Sequence, residues 1–377
     1  MSFRRLMAIA RKETLHILRD PRSLMAAIGI PVVMMLLYCY SLSLDVNNIP
    51  TAVLNPDQTR VSKDFLDSLE SSGYFNLREE VRSNREMDEA LDSGRCALGL
   101  VLPRNFGADI TAGKETPLQV LLDGTDPNRA SISLGYISAF TQSWSLVSIA
   151  DRMKAKGQSD FKIPLDPRIR VWFNPELKSR NFIIPGLIAM IMAILASLLT
   201  SLTIAREWEN GTMELLISTP ARADEIILGK LIPYFVLGFF DTSLIAFLGR
   251  ALFGVAVKGN VFLLGLFIAV FLVGVLMLGM MVSAILRSQL LANQIAFLAT
   301  FLPTLLLSGF IFYIPSMPKV IQYLSYIIPS RYFISALRGI YLKAVGLEAI
   351  WEQMVFLIIF DIIVIVVTIR KFKKKME

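Results

Sequence analysis

Histidine, cysteine and charge are what this 377-residue sequence has least of: one His16, Cys39 and Cys96, and charged side chains at only 18% of positions. A single histidine leaves no cluster for a zinc site and no Ser-His-Asp triad. Two cysteines make no disulfide framework, and Cys39 lies inside an apolar run, which argues against a bridge to Cys96. A Gly-x-x-x-x-Gly-Lys-Ser/Thr phosphate loop is also missing. If the chain pumps, ATP hydrolysis is therefore expected from another polypeptide. No cleavable leader is read, because the first apolar run begins beyond a long basic stretch and lacks a clear small-residue cleavage site. Catalytic residues, metal ligands and a cofactor held by the chain are all expected to be absent.

What the sequence does have is apolar length. Hydrophobic residues make up 54% of it, too many for a soluble domain and suited to several membrane spans plus one soluble insert. The net charge of +7 is unevenly placed. Residues 45–180 carry 17 basic and 19 acidic side chains, and the remainder carries 21 and 12. A basic excess on the membrane part fits the positive-inside tendency and gives no reason to expect nucleic acid.

In chain order, residues 1–22 read as an interfacial helix, with Phe3, Leu6, Met7, Ala10, Ile17 and Leu18 on a helical period among Arg4, Arg5, Arg11, Lys12 and Arg19. A plain positive flank that only sets topology is the simpler reading. Residues 23–44 form the first span. Residues 45–180 alternate strands (51–54, 75–81, 97–102, 118–122, 170–173) with helices (62–71, 85–93, 105–111, 128–154), which argues a compact α/β insert. Asp57, Asp123 and Asp126 stand beside Pro or Gly and read as turn formers. Residues 181–377 hold spans at about 183–205, 226–253, 261–286, 291–313 and 349–369. Between the last two, residues 314–348 are broken by Pro315, Pro318 and Pro329 and carry Lys319, Arg331, Arg338 and Lys343. They read as short interfacial or re-entrant helices at the outer face, against the positive-inside tendency. The basic tail 370–377 is placed in the cytosol. The fold class is thus an α-helical polytopic membrane protein of six transmembrane helices with an inserted extracytoplasmic α/β domain. Both termini are expected in the cytoplasm of a bacterial inner membrane.

Residues 206–220, Arg-Glu-Trp-Glu-Asn-Gly-Thr-Met-Glu-Leu-Leu-Ile-Ser-Thr-Pro, lie between two of these spans. Gly211 permits a backbone geometry other residues resist, and Thr212 is a candidate cap for a new helix. Glu214 then falls in the first turn, and Pro220 turns Thr219 away from helix, leaving about two turns. The stretch is either a docking knob for a soluble partner or an ordinary loop between spans.

The same stretch, with Gly229-Lys230-Leu231-Ile232-Pro233-Tyr234 after it, resembles the cytosolic signature of type-2 ABC (ATP-binding cassette) exporter permeases. Similar to members with a large extracytoplasmic domain after the first span are Arg11-Lys12-Glu13 before Arg19-Asp20-Pro21, and Leu122-Asp123-Gly124 before Asp126-Pro127-Asn128. Trp172-Phe173-Asn174-Pro175, and Ile328-Pro329 before Arg331-Tyr332, extend the resemblance over essentially the whole chain. It implies that 206–220 is the coupling helix, with Arg206, Glu207, Glu209, Gly211, Thr212, Met213, Glu214 and Leu215 as ATPase-coupling residues. It further implies that 1–22 is a connecting helix, with Arg11, Lys12 and Glu13 beside the ATPase. The partners it implies are an ABC ATPase subunit carrying ATP and Mg, a second permease copy or a sister permease, and the bilayer. A periplasmic adaptor is a further expectation.

The favoured function is the permease subunit of an ATP-driven exporter of drugs, lipids or other amphipathic molecules. An ion-coupled secondary transporter using Asp241 and Asp361 is the first alternative, but no inverted repeat is evident. A membrane-anchored receptor with an external ligand-binding domain is the second, and the cytosolic segments are short for signalling. Asp241 and Asp361 are the candidate translocation-path residues, since a carboxylate at mid-membrane seeks water or a partner. The simpler reading is that each is protonated, or hydrogen-bonds to a neighbouring helix, and holds the bundle together.

Overall fold

The computed structural model describes residues 2–41, 48–155, 172–173 and 179–372. The flank Asp45, positions 170–171 of the expected strand, Asn174, Pro175 and the tail lysines at 373–375 lie outside the described residues. Trp172 and Phe173 are described and are not in a strand.

The chain begins with α1 (Phe3–Arg19), and Pro21 then starts α2 (Pro21–Ser41) after the break at Asp20. The second unit, Leu44–Ile169, follows. Its elements are β1 (Ile49–Leu54), α3 (Arg60–Ser71), β2 (Phe75–Glu80), α4 (Asn84–Asp92), β3 (Leu98–Val101), α5 (Phe106–Ala112), β4 (Gln119–Leu122) and α6 (Pro127–Ala155). The strands join in the order β2-β1-β3-β4, with β1 parallel to both neighbours and β4 antiparallel to β3.

Alternation along the strands divides this unit's core. Ile49, Val53, Leu98 and Leu100 face Phe65, Leu69, Phe106 and Ile137, whereas Ala52 on the opposite face packs with Met87 and Ala90 of α4. Asp123 and Asp126 make the expected turns: Asp123 accepts from the Thr125 amide at 3.0 Å, and Asp126 from the Arg129 amide at 3.2 Å. The Thr125 amide and then its hydroxyl hold the Asp123 carboxyl below its ordinary value. Asp57 does more than turn the chain, because it is buried and its carboxylate accepts from the Gly107 amide and the Thr59 hydroxyl.

The rest of the chain belongs to the helical unit. It comprises α7 (Ser179–Glu209), α8 (Thr212–Ser218), α9 (Ala223–Phe253), α10 (Val261–Leu286), α11 (Gln289–Leu307), α12 (Lys319–Ser325), α13 (Pro329–Arg338) and α14 (Leu347–Lys371). Five of these, α7, α9, α10, α11 and α14, are long and apolar enough to cross a membrane by length and composition. α2 adds a shorter apolar stretch, Ala27–Tyr40. The protein is thus mostly helical and polytopic.

α7 is the centre of this unit, buried without a break from Ile183 to Ile194. Contact with α10 is close because small polar residues line it. The Thr200 hydroxyl donates to the Leu276 carbonyl at 2.8 Å, and Ser283 Oγ accepts from the Ala205 amide at 2.8 Å. α11 ends at Leu307, six residues short of the expected Tyr313. The Ser308 hydroxyl turns back to the Thr304 carbonyl, and Gly309 takes a left-handed φ of 81°, which stops the helix. Beyond it a 3-10 turn (Ile314–Ser316), α12, α13 and a π turn (Gly339–Lys343) replace a span, as the prolines suggest.

Candidate functional site

The stretch 206–220 folds as a reversal between two long helices. Gly211 sits at the N-cap of α8 with φ 73°, the left-handed geometry that glycine adopts without strain. Glu214 lies in the first turn of α8, and Thr219, before Pro220, is extended. Thr212 does not cap α8, as its hydroxyl donates to the Glu207 carboxylate instead. The cap position itself belongs to Gly211, which moves Thr212 into the helix.

Glu207 is the hub of a buried ion cluster. Its carboxylate receives the Lys230 ammonium at 3.0 Å and the Lys12 ammonium at 2.8 Å. Lys230, only 2% exposed, also pairs with the buried Glu13 carboxylate. Two cations and two anions from α1, α7 and α9 thus neutralise one another, with Lys230, Glu13 and Glu207 buried and Lys12 reaching in from the exposed side. Single removal leaves a buried charge unmatched, which is the costly case. The approach of α1 to α9 is set by Gly229, where a Cβ would stand 2.9 Å from Ile9 Cβ and 3.0 Å from the Leu6 carbonyl oxygen.

A second carboxylate clamps the start of α1. Glu225, 1% exposed, accepts from the Ser2 and Arg222 amides, with Arg5 Nη1 3.9 Å away. Arg5 also donates to the Pro220 carbonyl at 2.6 Å. Arg206 Nη1 meets the His16 ring at 3.0 Å. Glu209 accepts from the Gln289 amide at 2.7 Å and so caps α11, while Arg287 lies 4.5 Å over the Trp208 ring. The start of α1, the end of α7, α8, the start of α9 and the α10–α11 junction therefore form one cross-braced layer.

The residues singled out in the sequence divide in two. Glu207, Met213 and Glu13 are buried, and Arg206, Thr212, Lys12 and Glu209 make bonds within the chain. Gly211, Glu214, Leu215 and Arg11 are exposed, with Leu215 at 69%. Ser218, Thr219 and Pro220 continue this exposed surface. Sequence reading missed Lys230, Glu225, Ser2, Arg5 and Gln289. A lysine at the start of an apolar helix, followed by Leu231 and Ile232, was the available signal, since a buried lysine demands a partner.

Asp241 and Asp361 are buried near the middles of α9 and α14. One carboxyl oxygen of each has no hydrogen-bond partner among the described residues. Asp361 packs against Gly274 of α10.

Residues 21–370 match the family described as ABC-2 family transporter protein. The probable multidrug ABC transporter permease YbhS of Escherichia coli is 36% identical, covering 100% of this chain and 99% of that protein. The probable multidrug ABC transporter permease YbhR of the same organism is 26% identical over 93% of this chain and 94% of its own length. The inner membrane transport permease YhhJ, also of Escherichia coli, is 27% identical over 87% of this chain and 86% of its own.

Proposed function

The chain belongs to the ABC-2 family of transporter proteins and is the membrane permease subunit of an ABC exporter, and from that premise we propose that its ATPase partner docks on the exposed face of α8. The family implies an ATPase partner and a dimeric arrangement in general. The observation that carries the docking reading is the contrast across one short helix: Glu214 and Leu215 face solvent, whereas Met213 is buried in the apolar core and Glu207, at the end of α7, is locked into the ion cluster. Force applied to α8 passes through that brace to α1, α7 and α9 together, so α1 acts as the connecting helix. ATP and Mg belong to the partner.

In this reading six helices span the inner membrane, α2 being the first, with both termini in the cytoplasm and residues 45–180 outside as an α/β domain. α12 and α13 lie at the outer face. Apolar side chains exposed on α11, among them Leu298, Leu302 and Leu306, suit lipid or a second permease copy. The cargo is a drug or another amphipathic molecule, a reading supported by the names of YbhS and YbhR as probable multidrug permeases. Asp241 and Asp361 are the proposed polar points on its path. An external adaptor would meet the domain at 45–180.

Co-expression with a candidate partner ABC ATPase from the same organism tests the reading. The ATPase should co-purify with the native chain in mild detergent and be lost from Leu215→Asp, with membrane insertion unchanged. Full retention by Leu215→Asp and Glu214→Ala together contradicts it.

A further inference from the structure

Arg331, Arg338 and Lys343 all line one cavity of about 750 Å³, bounded by the start of α7, the end of α11, α13 and the start of α14. No carboxylate lines it. Glu348 and Glu352, on the first turns of α14, are exposed and form no part of its wall. Among the described residues, none of the three cations has an ion-pair partner.

Arg338 is fixed in place without being saturated. Its Nη1 donates to the Gly309 carbonyl at 2.9 Å and its Nη2 to the Phe310 carbonyl at 3.3 Å, and the guanidinium lies 3.6 Å from the Phe182 ring centre. Its Nε is buried with no partner among the described residues. Arg331 is held through the Ser325 hydroxyl and over the Tyr326 ring, at 3.9 Å. Three like charges held round one partly dry space repel each other, and no counter-ion among the described residues relieves them. A ligand with an anionic head would supply the missing charge. Alongside the polar Ser308, Tyr313, Ser335 and Gln353, much of the remaining wall, including Phe182, Ile334, Leu342 and Ile350, is apolar. A hydrated inorganic anion would gain nothing from that part. The volume is that of a site for a small organic ligand.

We propose that this cavity binds an anionic amphiphile, a phosphate or carboxylate on an apolar body, with Arg331, Arg338 and Lys343 as counter-ions to its head. The same cations run against the positive-inside tendency, and a charge-selective site at the outer face accounts for their presence there. Only that outer location rests on the six-span reading. Binding requires neither the ATPase nor a particular orientation, so its failure is separable from failure of the export assignment.

The test is a binding titration on the purified full chain in uncharged detergent, with dioctanoyl phosphatidic acid, dioctanoyl phosphatidylcholine and inorganic phosphate as probes. The phosphatidic acid should bind saturably, and the zwitterionic lipid about tenfold more weakly or worse. Lys343 is exposed, so Lys343→Gln changes charge without disturbing packing and should weaken phosphatidic acid binding about tenfold. Lys343→Arg should retain it. Arg338→Gln should weaken it further but also frees the 309–310 turn, so its thermal unfolding is recorded beside the titration. Equal binding of the two lipids, unchanged affinity in the Lys343→Gln/Arg331→Gln double variant, or inorganic phosphate binding as tightly as the lipid each overturns the proposal.

Discussion

The Lys230 ammonium lies 3.0 Å from the Glu207 carboxylate, with both side chains buried where α7 and α9 meet. Glu13 and Lys12 complete a neutral quartet that joins α1 to the same point. The four side chains together tie α1, α7 and α9 to one another behind α8.

Lys230→Met should be strongly destabilising, by about 3–5 kcal/mol, because it strands the buried Glu13 carboxylate and leaves Glu207 with Lys12 alone as counter-ion. Thermal unfolding in detergent measures it. Changing Glu207 and Glu13 to Gln in the same variant removes the stranded charge and should restore part of the loss. A Lys230→Met protein as stable as the native one removes the cluster from the account.

Gly229→Ala places a methyl group 2.9 Å from Ile9 and 3.0 Å from a backbone oxygen of α1. Backbone yields less readily than a side-chain tip, so α1 must shift away from α9, at a cost of about 1–3 kcal/mol. The expected readout is a lower unfolding temperature, together with ATP hydrolysis that no longer responds to cargo. Unchanged values for both contradict the close approach.

Single thiols in a background lacking Cys39 and Cys96 test the proposed topology. Both native cysteines are buried, which makes their removal a packing change to be checked first. Asp67 is exposed on α3, unlike the buried Asp57, and a thiol there should react with an impermeant reagent in intact cells. A thiol at Glu214 should react only after lysis. Labelling of position 214 in intact cells reverses the orientation.

Asp241→Asn and Asp361→Asn keep shape and hydrogen bonding while removing the ability to ionise. Each native residue has a buried carboxyl oxygen without a partner among the described residues, in a segment where ionisable groups usually serve the transported species. Both variants should assemble with the ATPase and lose export of a cationic cargo. Normal export by both removes the two residues from the path.

Local pattern carried much of this architecture. The uninterrupted apolar run 261–286 gave α10 its bounds, and Gly211 with Pro220 marked both ends of α8. Strand alternation at 98–101 and 119–122 was equally legible. The ion cluster was not, because Lys230 and Glu13 stand 217 residues apart and no periodicity links them. Thr212 looked like a cap because a hydroxyl beside glycine usually is one, and a carboxylate five residues earlier took the bond instead. The early end of α11 was hidden for a related reason. Phe310 to Tyr313 are apolar enough to continue a span, and only the geometry at Gly309 sends them elsewhere.

The central claim is that the outward face of α8 meets the ATPase, and a photoreactive side chain at Leu215 tests it most directly. Activated in the assembled complex, it should cross-link to the ATPase, while the same probe at Val236, exposed on the apolar part of α9, should not. An intact complex in which position 215 yields no ATPase adduct, or yields no more than position 236, would contradict the account.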